Sequence, residues 1–407
     1  MCFAGIVLAY TDRVNIAVAA VAMGEHFGWS QSVKGLVLSA FFVGYLLFMV
    51  PSGVLAARFG GRRVLAVAVV WWSVLTLLTP LAAGTSLTML ILARVALGLG
   101  EAAVLPASYE LFGRWVPASE RSRAVAWFLS GTALGQVAGL SGSGWLTANL
   151  GWPFCFYVFG SMGFVWVAVW LWKVKQDPAN DAGLSAQERS LLGSHADAAA
   201  KPVPRTPWLL LLRSPALWAI AAGVFCANWG LYLLLAWLPS YFRDVYHVSL
   251  ANTGFYSAAP WIASFLGMQI AGVVSDAAIT RGTRVITVRR LMTGIALLGS
   301  ATCLLALQYV QEPLIALVLM CVATASGAAG VSGYYAGPLD IAPRHAGSVI
   351  GVVNTIGTIP GVAGVAITGW LLDVTHGYHA TFLITACLNV AGTLFYWKFA
   401  RTEPVAA

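Results

Sequence analysis

Long apolar stretches, each of about 20 residues, follow one another along the chain and are separated by short polar segments. A helix of this length can cross a hydrocarbon core roughly 30 Å thick. The short alternating segments typical of barrel strands are absent from the sequence. The pattern therefore predicts an all-α membrane protein with twelve transmembrane helices. The predicted spans are residues 3–23, 34–56, 64–83, 87–112, 122–148, 153–173, 215–241, 251–274, 287–308, 313–336, 346–372 and 379–399.

One hydrophilic segment, residues 176–212, is much longer than the other connections and separates six spans from six. Its prolines and polar residues are typical of a cytoplasmic linker between domains. A repeated loop supports this division, since GVLAARFGGRR (residues 53–63) follows the second span and GVVSDAAITRG (residues 272–282) follows the eighth. The sequence therefore predicts two pseudo-symmetric six-helix bundles, residues 1–175 and 213–407, which in a transporter would rock about a central site.

Composition agrees with a membrane protein, because 59% of the residues are hydrophobic and 9% are charged, whereas a soluble domain carries about 25% charged residues. Lys and Arg concentrate in the loops after the even-numbered spans, while the opposite side holds Lys34 and Arg243. Since positive charge stays on the cytoplasmic side, both termini are predicted to be cytoplasmic or stromal. This topology accounts for the net charge of +8 without a nucleic-acid partner.

Sequence patterns for metal, cofactor or catalytic sites are not found. The six cysteines stand singly without CxxC spacing, so we expect no metal site, no disulfide framework and no cofactor. The sequence also lacks an HExxH motif and a Ser, His and Asp set at membrane depth, which argues against an enzyme. No targeting peptide is visible before the first span, so the membrane of residence stays open.

Four charged residues lie deep within predicted spans, away from the span ends: Asp12 and Arg13 in the first, and Arg94 and Glu101 in the fourth. A charge at the centre of a bilayer costs at least about 2.5 kcal/mol, so such residues usually line a polar cavity, pair with one another and serve transport. Arg94 and Glu101 are two turns apart and project from one helix face. A guanidinium group can bind an anion, and a buried carboxyl group can bind a proton. A proton on Glu101 would release Arg94 from pairing with it.

An alternative for these four residues is a buried ion-pair network that fixes helix register without contacting a ligand. Glu110 is predicted to pair with Arg114 at i, i+4 near the cytoplasmic end, outside the central site. Other polar or aromatic residues in the spans could complete a cavity, although packing or an interhelical hydrogen bond is an equal explanation for each. They are Tyr10, Tyr45, Asn228, Tyr232, Tyr335 and Asn354.

The loop at residues 53–63 resembles the signature loop of the major facilitator superfamily. Its usual acidic residue is Ala57 here, whereas Asp276 occupies the matching place in the second copy. The resemblance implies a gating motif on the cytoplasmic side, with members Gly53, Arg58, Gly60, Arg62, Asp276 and Arg344.

Further pieces resemble the anion:cation symporter family, which includes vesicular glutamate transporters, sialin, bacterial sugar-acid symporters and plastid phosphate or ascorbate transporters. They are TDRVN from residue 11, FFVGYLL from 41, RVALGLGE from 94, RWVPASERSRA from 114, NWG from 228 and LDIAPRHAG from 339. The stretch GGRRVLAVAVVWWSVLTLLTPLAA and Asn228 are most similar to the plastid branch. The resemblance implies the major facilitator fold and secondary active, cation-coupled symport of a small anion by alternating access.

The resemblance also implies roles for individual residues. Arg13 and Arg94 would bind the substrate anion, while Glu101 and Asp12 would carry the coupling cation, either a proton or sodium.

Departures from the glutamate-transporting branch bear on the substrate. Its span 7 arginine corresponds to Ala227 and its span 2 histidine to Leu38, so the expected substrate is phosphate, ascorbate or a sugar acid. A dicarboxylate transporter and a solute sensor of the same fold are the alternatives. We expect a monomer in a lipid bilayer, with the plastid envelope, the thylakoid and other membranes all open.

Overall fold

Helices account for nearly all of the described structure, a computed structural model that covers residues 1–117, 120–178, 183 and 206–405. Twelve helices in this part of the chain are long and apolar enough to cross a membrane, which confirms the predicted all-α class and the twelve spans. The α-helices are α1 (Cys2–Phe27), α2 (Gln31–Phe59), α3 (Gly61–Thr85), α4 (Leu87–Glu101), α5 (Val104–Trp115), α6 (Arg121–Leu150), α7 (Pro153–Lys173), α8 (Trp208–Arg213), α9 (Pro215–Tyr246), α10 (Leu250–Thr280), α11 (Val285–Ala306), α12 (Pro313–Gly327), α13 (Gly337–Ile341), α14 (Ala346–Thr375) and α15 (His379–Phe399). Short 3₁₀ helices occur at Leu307–Tyr309, Ala328–Val331 and Pro343–His345.

Contacts group the chain into two compact units. Unit 1 comprises Met1–Ala19 with Ala40–Val203, and unit 2 comprises Ala20–Ser39 with Pro204–Ala407. The last turns of α1 and the first turns of α2 therefore group with the C-terminal half of the chain. The predicted domain boundaries at residues 175 and 213 stay predictions, since most of the linker between them lies outside the described residues.

Asp373, near the end of α14, holds the start of α2 within unit 2. Its carboxylate accepts hydrogen bonds from the backbone N–H groups of Gln31 and Ser32, each at 2.8 Å, and from the Ser32 hydroxyl group. The first N–H groups of a helix have no partner inside the helix and carry partial positive charge, so a carboxylate caps them favourably. Gly369 permits the approach, because a Cβ there would lie 2.3 Å from the carbonyl oxygen of Gln31.

Two glycines let α2 and α4 cross at backbone contact in unit 1. A Cβ on Gly44 would lie 1.9 Å from the carbonyl oxygen of Val95, and a Cβ on Gly98 would lie 2.0 Å from that of Phe41. Small residues at a crossing permit such close packing. Van der Waals contacts of this kind hold membrane helices together, because the hydrophobic effect does not drive helix association within lipid. The crossing places the Phe41 ring against the Arg94 guanidinium group.

Three glycines spaced four residues apart, Gly131, Gly135 and Gly139, form the face of α6 that packs on α1. A Cβ on Gly135 would lie 2.5 Å from the carbonyl oxygen of Val7, and a Cβ on Gly139 would lie 2.9 Å from Cα of Thr11. The Thr11 hydroxyl group also donates to the Gly135 carbonyl oxygen at 3.2 Å. This packing fixes the rotation of α1, and with it the direction of the two charged residues that follow Thr11.

The fourth span is interrupted directly after Glu101, where the sequence pattern predicted one continuous helix. Pro106 in the first turn of α5 has no N–H group to give to the carbonyl group of Ala102, four residues earlier. The Ser52 hydroxyl group of α2 donates to that carbonyl oxygen instead, at 3.1 Å. Glu101 therefore lies at the C-terminus of a half-helix, whose partial negative charge favours cations.

We expect Gly98→Ala to lower the melting temperature of the detergent-purified protein, because overpacking a tight contact costs about 1–3 kcal/mol. Gly84→Ala is the matched control, since a Cβ on Gly84 of α3 would meet no atom within 4 Å and alanine favours helix. Tryptophan fluorescence on heating measures both variants. Equal melting temperatures for the two variants would contradict the close crossing of α2 and α4.

Candidate functional site

Arg13 of α1 and Glu101 of α4 form a buried ion pair within unit 1. Nε and Nη2 of Arg13 each lie 3.1 Å from Oε2 of Glu101. The side chains are 8% and 0% exposed, so the pair is shielded from water. Such a pair offsets its lost hydration only while both members are present, because removing one leaves a buried charge uncompensated.

Three aromatic rings surround the Arg13 guanidinium group. Its Cζ atom lies 4.5 Å from the ring centroid of Tyr10, 4.7 Å from that of Tyr45 and 5.0 Å from that of Phe41. Phe41 and Tyr45 are four residues apart on α2 and share a helix face, while Tyr10 is one turn before Arg13 on α1. The ring faces are negative and stabilise a cation held away from water.

Arg94 shares the Phe41 ring with Arg13 but has a different environment. Its Cζ atom lies 5.4 Å from the Phe41 centroid, and the residue is 1% exposed. Within the described part of the chain, its Nε and Nη1 atoms have no hydrogen-bond acceptor. Unsatisfied buried donors are uncommon because each costs about 1–3 kcal/mol, more for a charged group. Two donors of a rigid fork that fits carboxylate or phosphate are therefore available to an anion.

Asp12 is fully buried on the neighbouring face of α1. Neither of its carboxylate oxygens has a hydrogen-bond donor among the described residues. The carboxyl group interacts electrostatically with Glu101 and Arg94, and the Trp72 indole lies beside it. Two carboxylates this close repel each other, so a cation bound to either one relieves the repulsion.

The pairing of Glu101 corrects one expectation from the sequence. Glu101 pairs with Arg13, and not with Arg94 on its own helix. Seven residues correspond to about 10 Å along the helix axis, which is too far for an ion pair along one straight helix. A proton or another cation on Glu101 would therefore release Arg13 instead of Arg94.

Two of the predicted residues in the C-terminal half are brought together within unit 2. The Asn228 side chain donates to the carbonyl oxygen of Gly357 at 2.7 Å and accepts a hydrogen bond from the Tyr335 hydroxyl group at 3.4 Å. Both residues line one cavity. Tyr232 and Asn354 are half-buried on α9 and α14, and neither lines this cavity. Their predicted role in binding stays a prediction.

Members of the predicted gating motif occupy the turn between α2 and α3. Gly60 has a φ angle of 84°, in the left-handed region that glycine adopts without strain. The backbone N–H group of Arg62 donates to the Gln176 side chain at 2.9 Å, and its guanidinium group donates to the carbonyl oxygen of Leu171 at 2.8 Å. The motif therefore ties the start of α3 to the end of α7.

The other members of the predicted gating motif do not belong to this turn contact. Gly53 lies inside α2, and Arg58 and Asp276 are exposed. The side chain of Arg344 lies outside the described part of the chain. A gating role for these residues stays a prediction.

Glu110 supplies the carboxylate that Ala57 lacks near this turn. Its Oε2 atom accepts a hydrogen bond from the Gly61 N–H group at 2.6 Å, which caps the N-terminus of α3. It also pairs with Arg114, as the i, i+4 spacing predicted. The capping role was not predicted, because it joins residues that are distant in sequence.

Phe41 and Trp72 were missed as site residues by the sequence analysis. Phe41 contacts both arginines through one ring, and its spacing of four residues from Tyr45 is a signal that could have identified it. Trp72 lies beside Asp12, but nothing in the tryptophan-rich third span distinguishes it from its neighbours.

Comparison with known proteins identifies the family and the fold. The model of the Major Facilitator Superfamily matches residues 2–365. "Sodium-dependent phosphate transport protein 1, chloroplastic" from Arabidopsis thaliana is 38% identical over 406 residues, which is 100% of this chain and 79% of that protein. "Ascorbate transporter, chloroplastic" from the same plant is also 38% identical over 406 residues, covering 100% of this chain and 74% of that protein. The chain also matches the solved structure of a bacterial homolog of the human lysosomal transporter Spinster, in an inward-facing and occupied conformation, with a TM-score of 0.81. The two sequences are 19% identical, and the match covers 98% of this chain and 96% of that chain. This likeness shows the fold.

We expect Glu101→Ala to destabilise the protein by roughly 3–5 kcal/mol, because it leaves the charge of Arg13 buried without its carboxylate. Glu120→Ala is the control, since Glu120 pairs with Arg123 where both side chains are more than half exposed and such pairs contribute little. Melting temperatures in one detergent measure the difference. A Glu101→Ala protein as stable as Glu120→Ala would contradict a buried, energetically coupled pair.

Proposed function

This chain belongs to the Major Facilitator Superfamily, and we propose that it carries a small anion across a membrane together with a cation. It is a multi-pass membrane transporter and not an enzyme. The supporting observation is Arg94, a fully buried arginine with two donors that no described acceptor satisfies. An oxyanion from the substrate would satisfy both donors at once.

The charges in unit 1 support coupling of the anion to a cation. Arg13, Arg94, Asp12 and Glu101 carry two positive and two negative formal charges, so the cluster is neutral when all four are ionised. An anion bound to Arg94 would add a net negative charge in a place of low dielectric constant, which is costly. A cation on Asp12 or Glu101 removes that charge, so anion and cation would move together.

Glu101 is our proposed link between the two ions. While Glu101 is ionised, it occupies two donors of Arg13. A proton or sodium ion on Glu101 would weaken that pair and free the donors of Arg13 for the anion. Arg13 and Arg94, which share the Phe41 ring, would then bind the same substrate group.

Relatives indicate the substrate class and the compartment. One relative is named a sodium-dependent phosphate transport protein and another an ascorbate transporter. Both names describe the protein as chloroplastic. We propose that this chain transports phosphate, ascorbate or a sugar acid in symport, in a plastid membrane. The proton is our first candidate for the coupling ion, because the cluster contains two buried carboxyl groups, and sodium is the second.

We expect proteoliposomes containing the purified protein to accumulate one labelled anion among phosphate, ascorbate and gluconate when a cation gradient is imposed. Arg94→Ala should reduce uptake by roughly 100-fold or more, because two charged hydrogen bonds of about 1.5–3 kcal/mol each are lost. Arg123→Ala, at an exposed arginine, should leave uptake unchanged. Unchanged uptake by Arg94→Ala would contradict its role, and binding of an anion without flux would indicate a solute sensor instead.

Glu101→Gln should separate coupling from binding. We expect the variant to exchange internal for external labelled anion while losing accumulation against a gradient, because glutamine neither gains nor loses a proton. Varying sodium at fixed pH in the wild-type protein then identifies the coupling ion. Gradient-driven accumulation by Glu101→Gln equal to that of the wild type would refute coupling through this carboxyl group.

A further inference from the structure

A ridge of three side chains, Arg63, Val67 and Trp71, runs along α3 on the surface of unit 1. Each is four residues from the next, so the three share one face of the helix. Val67 is 69% exposed and Trp71 is 49% exposed, so this face is not covered by the described part of the chain. An exposed apolar face of this kind marks a surface that meets lipid or a partner.

Two apolar grooves flank the ridge and share its three residues. The first has a volume of about 570 Å³ and is bounded by α2 and α4, and the second has a volume of about 600 Å³ and is bounded by α7. On α3 itself, Val64 and Ala68 belong to the first groove, whereas Ala66 and Val70 belong to the second. The two grooves therefore lie on opposite flanks of the ridge.

Arg63 is the one charged side chain among the described residues that line the grooves, and it belongs to both. It lies in the first turn of α3, and the second groove extends from it to Leu75. Twelve residues of α-helix correspond to about 18 Å, which is close to half of a hydrocarbon core roughly 30 Å thick. The ridge therefore spans about one leaflet, with Arg63 at the level of the headgroups.

Arg63 differs from its neighbour Arg62 in having no task within the described fold. The Arg62 guanidinium group donates to the carbonyl oxygen of Leu171, whereas Arg63 is exposed and has no hydrogen bond or ion pair with a described residue. The exposed Arg58 lies 5.3 Å from the ring centroid of Phe59, which lines the first groove. Basic residues at the membrane surface attract anionic headgroups, so this end of the ridge is complementary to one.

The Trp71 indole is held in one position between the grooves. Its Nε1 atom donates to the carbonyl oxygen of Ala96 at 2.7 Å. A Cβ on Gly100 would lie 2.7 Å from Cδ1 of this indole, so the glycine leaves room for the ring. Because the ring is already fixed, a ligand that lies against it loses little affinity to ordering of the side chain.

We propose that this ridge binds one anionic phospholipid, with its phosphate group on Arg63 and one acyl chain in each groove. A guanidinium group offers paired donors that fit phosphate oxygens. Two grooves that meet at one cation match two chains that leave one headgroup. The site lies within unit 1 and shares no residue with the charged cluster, so it goes beyond the proposed function and does not depend on the transported ion.

The test titrates the purified full chain in a mild detergent with two dioleoyl phospholipids. Phosphatidylglycerol is anionic and phosphatidylcholine is zwitterionic, while their acyl chains are identical. Native mass spectrometry gives the Kd of the first bound lipid. We expect phosphatidylglycerol to bind at least about 5-fold more tightly, which is the preference that one arginine near the membrane surface supplies.

Arg63→Gln should reduce this preference to about 2-fold or less, because the headgroup loses its main cation. Arg281→Gln is the matched control, since Arg281 is exposed in the corresponding loop of the second copy and lines neither groove. This control should keep the preference of the wild type. Melting temperatures of both variants show whether the fold persists.

The number of acyl chains is tested with oleoyl lysophosphatidylglycerol, which keeps the headgroup and lacks one chain. We expect it to bind at least about 10-fold more weakly than the dioleoyl lipid, because one groove stays unfilled. Val70→Trp, which places an indole in the second groove, should weaken binding of the dioleoyl lipid and leave the Kd of the lysolipid unchanged. Val54→Trp is its control, since Val54 is 63% exposed on α2 and lines neither groove.

Equal affinity for the two headgroups, or a wild-type preference in Arg63→Gln, would overturn the lipid site. Equal affinity for one-chain and two-chain lipids would also overturn it, because one groove would then take no chain. Displacement of phosphatidylglycerol by excess inorganic phosphate would mean that Arg63 binds a soluble anion instead. A dimer that Val70→Trp disrupts would mean that a second copy of the chain covers the ridge, with the same consequence. None of these measurements uses anion flux, so failure of the proposed function would leave the lipid site standing.

Discussion

The cost of holding charge away from water governs the arrangement of unit 1. Arg13, Arg94, Asp12 and Glu101 occupy helices that must otherwise be apolar to lie in lipid. One arginine and one carboxylate offset their lost hydration through a direct ion pair. Among the described residues, the oxygens of Asp12 have no hydrogen-bond donor, and Nε and Nη1 of Arg94 have no acceptor. A purely structural network would pair all four groups, so this imbalance is the observation that supports the proposed role in binding.

Aromatic and glycine residues make the charged cluster possible. Phe41 lies against both arginines and supplies a negative ring face to each, which stabilises two like charges at close range. The ring reaches them because Gly44 and Gly98 allow α2 and α4 to touch at the backbone. Rigid packing of this kind holds functional groups within the narrow tolerances that binding requires. The interruption after Glu101 adds a helix C-terminus, whose partial negative charge favours a cation.

The charged cluster of unit 1 and the cavity of unit 2 that Asn228 and Tyr335 line differ in the kind of polar group that they contain. Unit 1 holds the charged cluster, whereas the described lining of the cavity of unit 2 is without charge, and in it Asn389 and Trp261 present one acceptor and one donor.

The sequence by itself determined the features that depend on local composition and length. Apolar runs of membrane length fixed the twelve helices, and rarity of charge in such runs identified Asp12, Arg13, Arg94 and Glu101 as a group. Only the tertiary structure decided which of them pair, because helical spacing relates residues on one helix and carries no information on the rotation and depth of another. It also decided that the Ser52 hydroxyl group satisfies the Ala102 carbonyl oxygen at the break beside Pro106, and that the Asn389 oxygen stays unsatisfied among the described residues, since both depend on groups that are remote in sequence.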